Sequence, residues 1–280
     1  MNGSVRAELL MLRKRVSTWV LLGLWSVAAG LFAYVLPYST LRGGTESFGP
    51  PPPDLASLLP DRFAGTAVGG YPFFGGVVVL ILGVMTMGGE YGWGTLKTVL
   101  SQHPSRLRAL GAKLIALGIV LWVFVAASFL ISAIASRVIA STEGVDTSWP
   151  SLAMTGKALI AAWLIFAVWT SLGVALAIVS RGTSLAIGIG ILYGLALEGL
   201  AEALLRQVDA LEPLVQGLLR ANAYSLAAAV GMAEADAAGN GPGSYAGPFV
   251  GGLQSTVVLV GLMAAFAAVS AVVLTRRDVT

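Results

Sequence analysis

The sequence predicts an all-α membrane protein of six transmembrane helices, with both termini in the cytoplasm. Three observations predict it: a charge-poor apolar composition, six apolar runs of spanning length, and basic residues concentrated in alternate connections. Hydrophobic residues make up 56% of the chain and charged residues 11%, with a mean hydropathy of +0.83. A soluble domain carries about 25% charged residues, so the surplus apolar surface must face lipid. The chain has no cysteine and a single histidine, His103, which excludes disulfides, thiolate chemistry and a histidine-based metal cluster.

Val5–Val16 sets Leu9, Leu10 and Leu12 beside Arg6, Arg13, Lys14 and Arg15. This predicts a basic amphipathic helix lying along anionic headgroups. A helix needs roughly 20 apolar residues to cross a bilayer. The first span is expected at Trp19–Leu36. Its apolar run exceeds the roughly 7–15 residues of a signal peptide, so it reads as a retained helix. The other spans are expected at Phe73–Gly88 (extendable to about residue 70), Leu114–Ser136, Ala158–Val179, Ser184–Leu205 and Leu253–Thr275, giving one transmembrane domain over the whole chain. Pro37–Tyr71 holds Pro50 to Pro53 and reads as a stiff spacer, and Arg137–Lys157 as a short polar loop. In Arg206–Gly252, the stripe Leu211, Leu214, Val215, Leu218 and Leu219 predicts an amphipathic interfacial helix.

Charge sets the orientation, because cytoplasmic segments retain Lys and Arg. With the N-terminus inside, the inner segments hold eleven bases and three acids (Glu8, Glu90 and Asp278), and the outer side holds six bases and eleven acids. Arg106, Arg108 and Lys113 are expected at inner headgroup level.

The segment joining the second and third spans, Gly88 to Arg106, leaves the membrane through glycines. It reads as a short helix exposing Tyr91, Trp93 and basic side chains, which suits docking on another protein. Gly92 and Gly94 with Lys97 do not form a P-loop, because the lysine must directly follow the second glycine. No other segment fits, so an ATP-driven reading requires a separate subunit. His103 reads as a surface residue in this basic loop, and no catalytic role is expected anywhere in the chain. Gly190 and Gly194 make a Gly-x-x-x-Gly helix-packing face. Glu198 and Glu202 share one helix face, either as acids of a translocation path or outer gate, or, preferred here, as carboxylates in outer headgroup water.

Glu90 to Thr98 (Glu-Tyr-x-x-Gly-Thr-Leu-Lys-Thr), Pro104-Ser105-Arg106, Ala112-Lys113-Leu114 and Glu8 to Trp19 together resemble the permease subunits of bacterial type-2 ATP-binding-cassette (ABC) exporters. The likeness is in topology over the whole chain and in motif over about residues 8–19 and 90–114. It implies that Glu90, Tyr91, Trp93, Gly94, Thr95, Leu96 and Lys97 form a coupling helix seated in a cleft of the ATPase, and that Arg181 and Gly182 form a second coupling loop. Arg13, Lys14 and Arg15 would belong to the interfacial helix. It also implies short helices dipping toward the membrane within Ala203–Ala235. The expected partners are two ATPase subunits carrying ATP and magnesium, a second permease copy or related permease, and the bilayer. No cofactor in this chain and no nucleic acid are expected. The first, second and fifth spans would line the pathway in the bacterial cell membrane. The apolar spans suit a hydrophobic drug, lipid or peptide. The alternative is an energy-independent carrier or a membrane scaffold or sensor.

Overall fold

The computed structural model describes residues 2–43, 54–92, 105–146, 148–205, 207, 212–232, 245, 247 and 249–276. The regular elements among them are helical. They run α1 (Asn2–Lys14), α2 (Val16–Gly43), α3 (Pro60–Tyr91), α4 (Arg106–Glu143), α5 (Leu152–Ser180), α6 (Ser184–Leu205), α7 (Leu219–Ala229) and α8 (Gly252–Arg276). All but α1 and α7 are long and apolar enough to cross a membrane, six in number as expected.

Helix α5 is the hub. In its most apolar stretch 83% of residues are buried, against 22% in α2 and α6 and 17% in α8, which turn broad faces outward. The α3–α5 contact depends on missing side chains. A Cβ on Gly83 would lie 2.4 Å from the Thr170 carbonyl oxygen, and one on Gly173 would lie 2.2 Å from that of Leu80. Lipid gives helices no hydrophobic reason to associate, so such close backbone approach supplies the packing. The Gly190/Gly194 face is a real contact: Leu80 seats against Gly190, and Val77 and Trp169 against Gly194. Trp25, Tyr71 and Phe166 lock α2, α3 and α5 together, with Trp25 edge-on to both partners and Tyr71 stacked on Phe166. The Tyr71 hydroxyl pairs with that of Ser128 on α4.

Three spanning helices contain a wide, π-type turn: residues 31–35 in α2, 71–75 in α3 and 193–197 in α6. In α3 the turn accommodates Pro72, and the Gly75 N–H reaches back five residues to the Gly70 carbonyl at 2.9 Å. A proline cannot donate in the ordinary ladder, so the register shifts around it.

The spans overrun their expected ends. Helix α3 begins at Pro60, ten residues before the extended boundary, and α2 continues to Gly43. Helix α4 passes Arg137 to reach Glu143, where Gly144 at φ 65° ends it, and α5 starts at Leu152 under a Ser151 cap. Hydropathy locates only the lipid-facing stretch, whereas backbone hydrogen bonding carries a helix on into water. The expected Leu211–Leu219 helix is broken: Glu212–Val215 is one short turn, and Leu218 is extended before α7 begins. Pro213 restricts the backbone before it, and Gly217 lies in the break. Pro50 to Pro53 lie outside the described residues.

Candidate functional site

Two clusters of buried charge stand at opposite ends of the bundle. At the end that carries α1, Lys113 Nζ donates to Glu8 Oε2 at 2.9 Å and to Glu90 Oε1 at 2.6 Å. The three side chains are 4–9% exposed. They come from α1, the last turn of α3 and the second turn-and-a-half of α4. Burying such ions costs several kcal/mol each unless they are paired and hydrogen-bonded. Here one ammonium satisfies two carboxylates and ties three helices at one point. Arg15 adds a second tie. Its guanidinium donates to the Met85 carbonyl at 3.0 Å and more weakly to that of Thr86, and it lies beside Gly89.

This geometry changes the roles expected of several residues. Lys113 is not open to solvent but 3% exposed within the protein, and Glu90 faces inward to it. Helix α1 buries Glu8 and Leu12 against α4, while Leu10, Arg13 and Lys14 stay exposed; Arg15 turns to α3 instead of outward. Tyr91 is partly buried and packs on the core. Trp93, Gly94, Thr95, Leu96, Lys97 and His103 lie outside the described residues.

Arg181 is exposed and adopts φ 55°, the turn that ends α5 and begins α6. That turn abuts α3: a Cβ on Gly88 would meet the Thr183 methyl at 2.8 Å and the Gly182 carbonyl at 3.1 Å. Thus the segment leading into Glu90 and the Arg181–Gly182 turn, 90 residues apart in sequence, are neighbours. At the same end, Arg106 donates to the Leu274 carbonyl at 3.0 Å, joining the start of α4 to the end of α8.

At the opposite end, Glu198 and Glu202 are 1% and 6% exposed. This overturns the preferred expectation that both sit in headgroup water. Their partner is Arg220 of α7, itself 4% exposed. Its guanidinium donates to Glu202 Oε2 at 3.0 Å, and its backbone N–H donates to Glu198 Oε1 at 2.7 Å. Leu218 offers no side-chain cap to α7, so the Glu198 carboxylate fills that place from another helix, where the macrodipole favours an anion. Gly199 leaves room for the guanidinium, 3.0 Å from where a Cβ would stand. Asn222 donates to the Gln216 and Leu218 carbonyls and fixes the turn before α7. The sequence carries no sign of Arg220 as a partner: it lies 18 residues beyond Glu202, in a segment without helical charge patterning.

Residues 69–280 match the family described as "Protein of unknown function (DUF2705)". The chain belongs to that family. The match takes in Glu90, Lys113, Glu198, Glu202 and Arg220 but not Glu8, so the family's common region holds the α3–α4 half of the first cluster and all of the second. No curated protein matches this DUF2705 member.

Proposed function

We propose that this DUF2705 member is the membrane-spanning subunit of a bacterial ABC exporter, driven by a separate cytoplasmic ATPase that binds ATP and magnesium. The observation that carries the reading is the Glu8–Lys113–Glu90 cluster, taken with the resemblance of residues 90–98 to a coupling helix. A coupling segment must pass its displacement to the spans. Glu90 sits at the root of that segment, and through Lys113 it is bonded to α4 and α1, so a push on residues 93–104 moves three helices together. The proposed second docking element, the Arg181–Gly182 turn, lies against Gly88 of α3, which leads into that segment, and this supports the reading.

In this reading Trp93, Thr95 and Lys97 contact the ATPase, Glu90 anchors the segment, and Glu198, Glu202 and Arg220 latch the outer gate. Both termini are cytoplasmic. Two such chains, or one with a related permease, make the pathway between α2, α3 and α6. The test is to co-purify the chain with a Walker-motif ATPase encoded in an adjacent reading frame, if that frame holds one, before and after Trp93→Ala with Thr95→Ala; an adjacent frame without one weakens the reading. The expected result is loss of the complex and of coupled ATP turnover. An unchanged complex with unchanged turnover refutes the docking role.

One observation favours the rival reading of an energy-independent carrier: wide turns interrupt α2, α3 and α6, and carriers use interrupted helices at their binding sites. Transport by ATPase-free proteoliposomes would establish that rival instead.

A further inference from the structure

A groove of about 460 Å³ opens between α4, α5 and α8. Its walls include Ile115, Gly118 and Ile119 of α4, Ala167 of α5, and Met263 and Ala267 of α8. Trp122 and Trp163 close one end, their rings stacked with centroids 5.9 Å apart. The Trp163 indole N–H donates to the Gly118 carbonyl at 2.9 Å, so that donor is engaged within the wall. The hydroxyls lining the groove are likewise engaged. Thr170 donates to the Val79 carbonyl, and Ser171 donates to carbonyls of its own helix. What remains is a predominantly apolar slot.

The lining on α4 runs from Leu114 to Trp122, and basic residues lie beyond it toward the start of α4, at the slot's mouth. On α4, Trp122, Ile119, Ile115 and Arg108 fall on one stripe, spaced 14, 11 and 7 residues from the arginine, and all four are exposed. At 1.5 Å per residue, Arg108 lies about 21 Å along the helix from Trp122, which is half of a roughly 40–45 Å bilayer with its headgroups. The tryptophan pair therefore stands near the midplane when Arg108 is at headgroup level. Arg106 marks the same mouth from the other side. The Leu274 carbonyl it binds lies one heptad beyond Ala267, on the groove-facing stripe of α8. An apolar slot reaching from Trp122 to Leu114, with two guanidinium groups about two helical turns beyond it, suits a molecule with an apolar chain and an anionic head.

We propose that this groove holds an anionic phospholipid of the adjoining leaflet, with an acyl chain in the slot against Trp122 and Trp163 and the phosphate on Arg106 and Arg108. Guanidinium groups suit phosphate oxygens through charge-assisted, paired hydrogen bonds, and basic pockets between spanning helices recruit anionic headgroups. The inference goes beyond the transport reading and needs only that the bundle lie in a bilayer, so it stands or falls apart from the ATPase.

The test is native mass spectrometry of the full chain. It is extracted from nanodiscs containing phosphatidylglycerol and phosphatidylcholine with identical tails, and the retained lipid is counted. The wild type should retain phosphatidylglycerol preferentially. Arg108→Gln, at an exposed site that leaves packing alone, should lower that preference about fivefold, and adding Arg106→Gln should lower it about as much again. Ala267→Phe keeps both arginines and fills the slot, so it should reduce retention of both lipids. Free glycerol phosphate, which lacks a chain, should not displace the bound lipid. Equal retention of the two lipids by the wild type would overturn the proposal. So would an undiminished preference in the double arginine variant, full retention by Ala267→Phe, or displacement by glycerol phosphate.

Discussion

Replacing Lys113 with methionine removes the ammonium that bridges Glu8 and Glu90 while keeping most of the side chain's volume. The magnitude follows from the geometry. The Lys113 nitrogen lies 2.9 and 2.6 Å from the two carboxylate oxygens, and none of the three side chains is more than 9% exposed. Removing one partner of a buried pair costs about 3–5 kcal/mol. Here the loss leaves two carboxylates facing one vacated point. At about 5 Å and an effective dielectric of about 20, their repulsion adds roughly 3 kcal/mol unless one of them takes up a proton. The variant should therefore lose about 6–8 kcal/mol, a large share of the roughly 5–15 kcal/mol that holds a typical protein folded. The triple variant Glu8→Gln, Glu90→Gln, Lys113→Met carries no charge at the site and should recover most of that loss, to within about 2 kcal/mol of wild type. Reversible denaturation by dodecyl sulfate in mixed micelles, read by tryptophan fluorescence, measures all three proteins. A loss below about 1 kcal/mol for Lys113→Met, or a triple variant as unstable as the single one, would refute charge pairing as the reason these helices meet.

Gly173→Ala should destabilise by about 1–3 kcal/mol or more in the same assay, because the new Cβ would stand 2.2 Å from the Leu80 carbonyl oxygen; Gly261→Ala, with nothing within 4 Å, should stay within about 0.5 kcal/mol. Arg220→Ala takes the guanidinium from buried Glu202, while the backbone N–H of residue 220 still serves Glu198; it should cost about 3 kcal/mol, with faster proteolysis between Glu212 and Leu218, and Glu202→Gln with Arg220→Met should recover part of it. The Arg42–Glu143 pair is different: both residues are at the surface, and Arg42→Ala should leave stability unchanged within error. The chain is cysteine-free, so single cysteines report sidedness directly. In intact cells a membrane-impermeant maleimide should label Thr142→Cys and spare Thr95→Cys. The reverse pattern would invert the proposed topology.

The six spanning helices were legible in the sequence because apolar runs of bilayer length have few other uses, and the Gly190/Gly194 face was legible because small residues four apart make a flat helix surface. The partners of the buried charges were not. Lys113 stands where an apolar run begins, and such a position ordinarily marks a headgroup boundary. Only the fold brings Glu8, 105 residues away, and Glu90 to the same nitrogen. Glu198 and Glu202 were visible as a pair, but their burial depends on α7 folding back over them, and the apolar stripe pointed to a helix starting at Leu211. The break after Val215 moves that helix to Leu219 and puts Arg220 in its first turn. Helix ends were misplaced for a simpler reason: Arg137 and Asp61 are compatible with a helix that has already left the lipid.

The proposed function requires that the segment following Glu90 seat this chain on an ATPase. The most direct measurement is site-specific crosslinking in native membranes from a Thr95→Cys variant, with Thr142→Cys as the opposite-end control. Thr95→Cys should capture a nucleotide-binding subunit, Thr142→Cys should not, and the crosslink should change ATP turnover. Capture from Thr142→Cys alone, or no ATP-binding protein captured from either site, would contradict the proposed function.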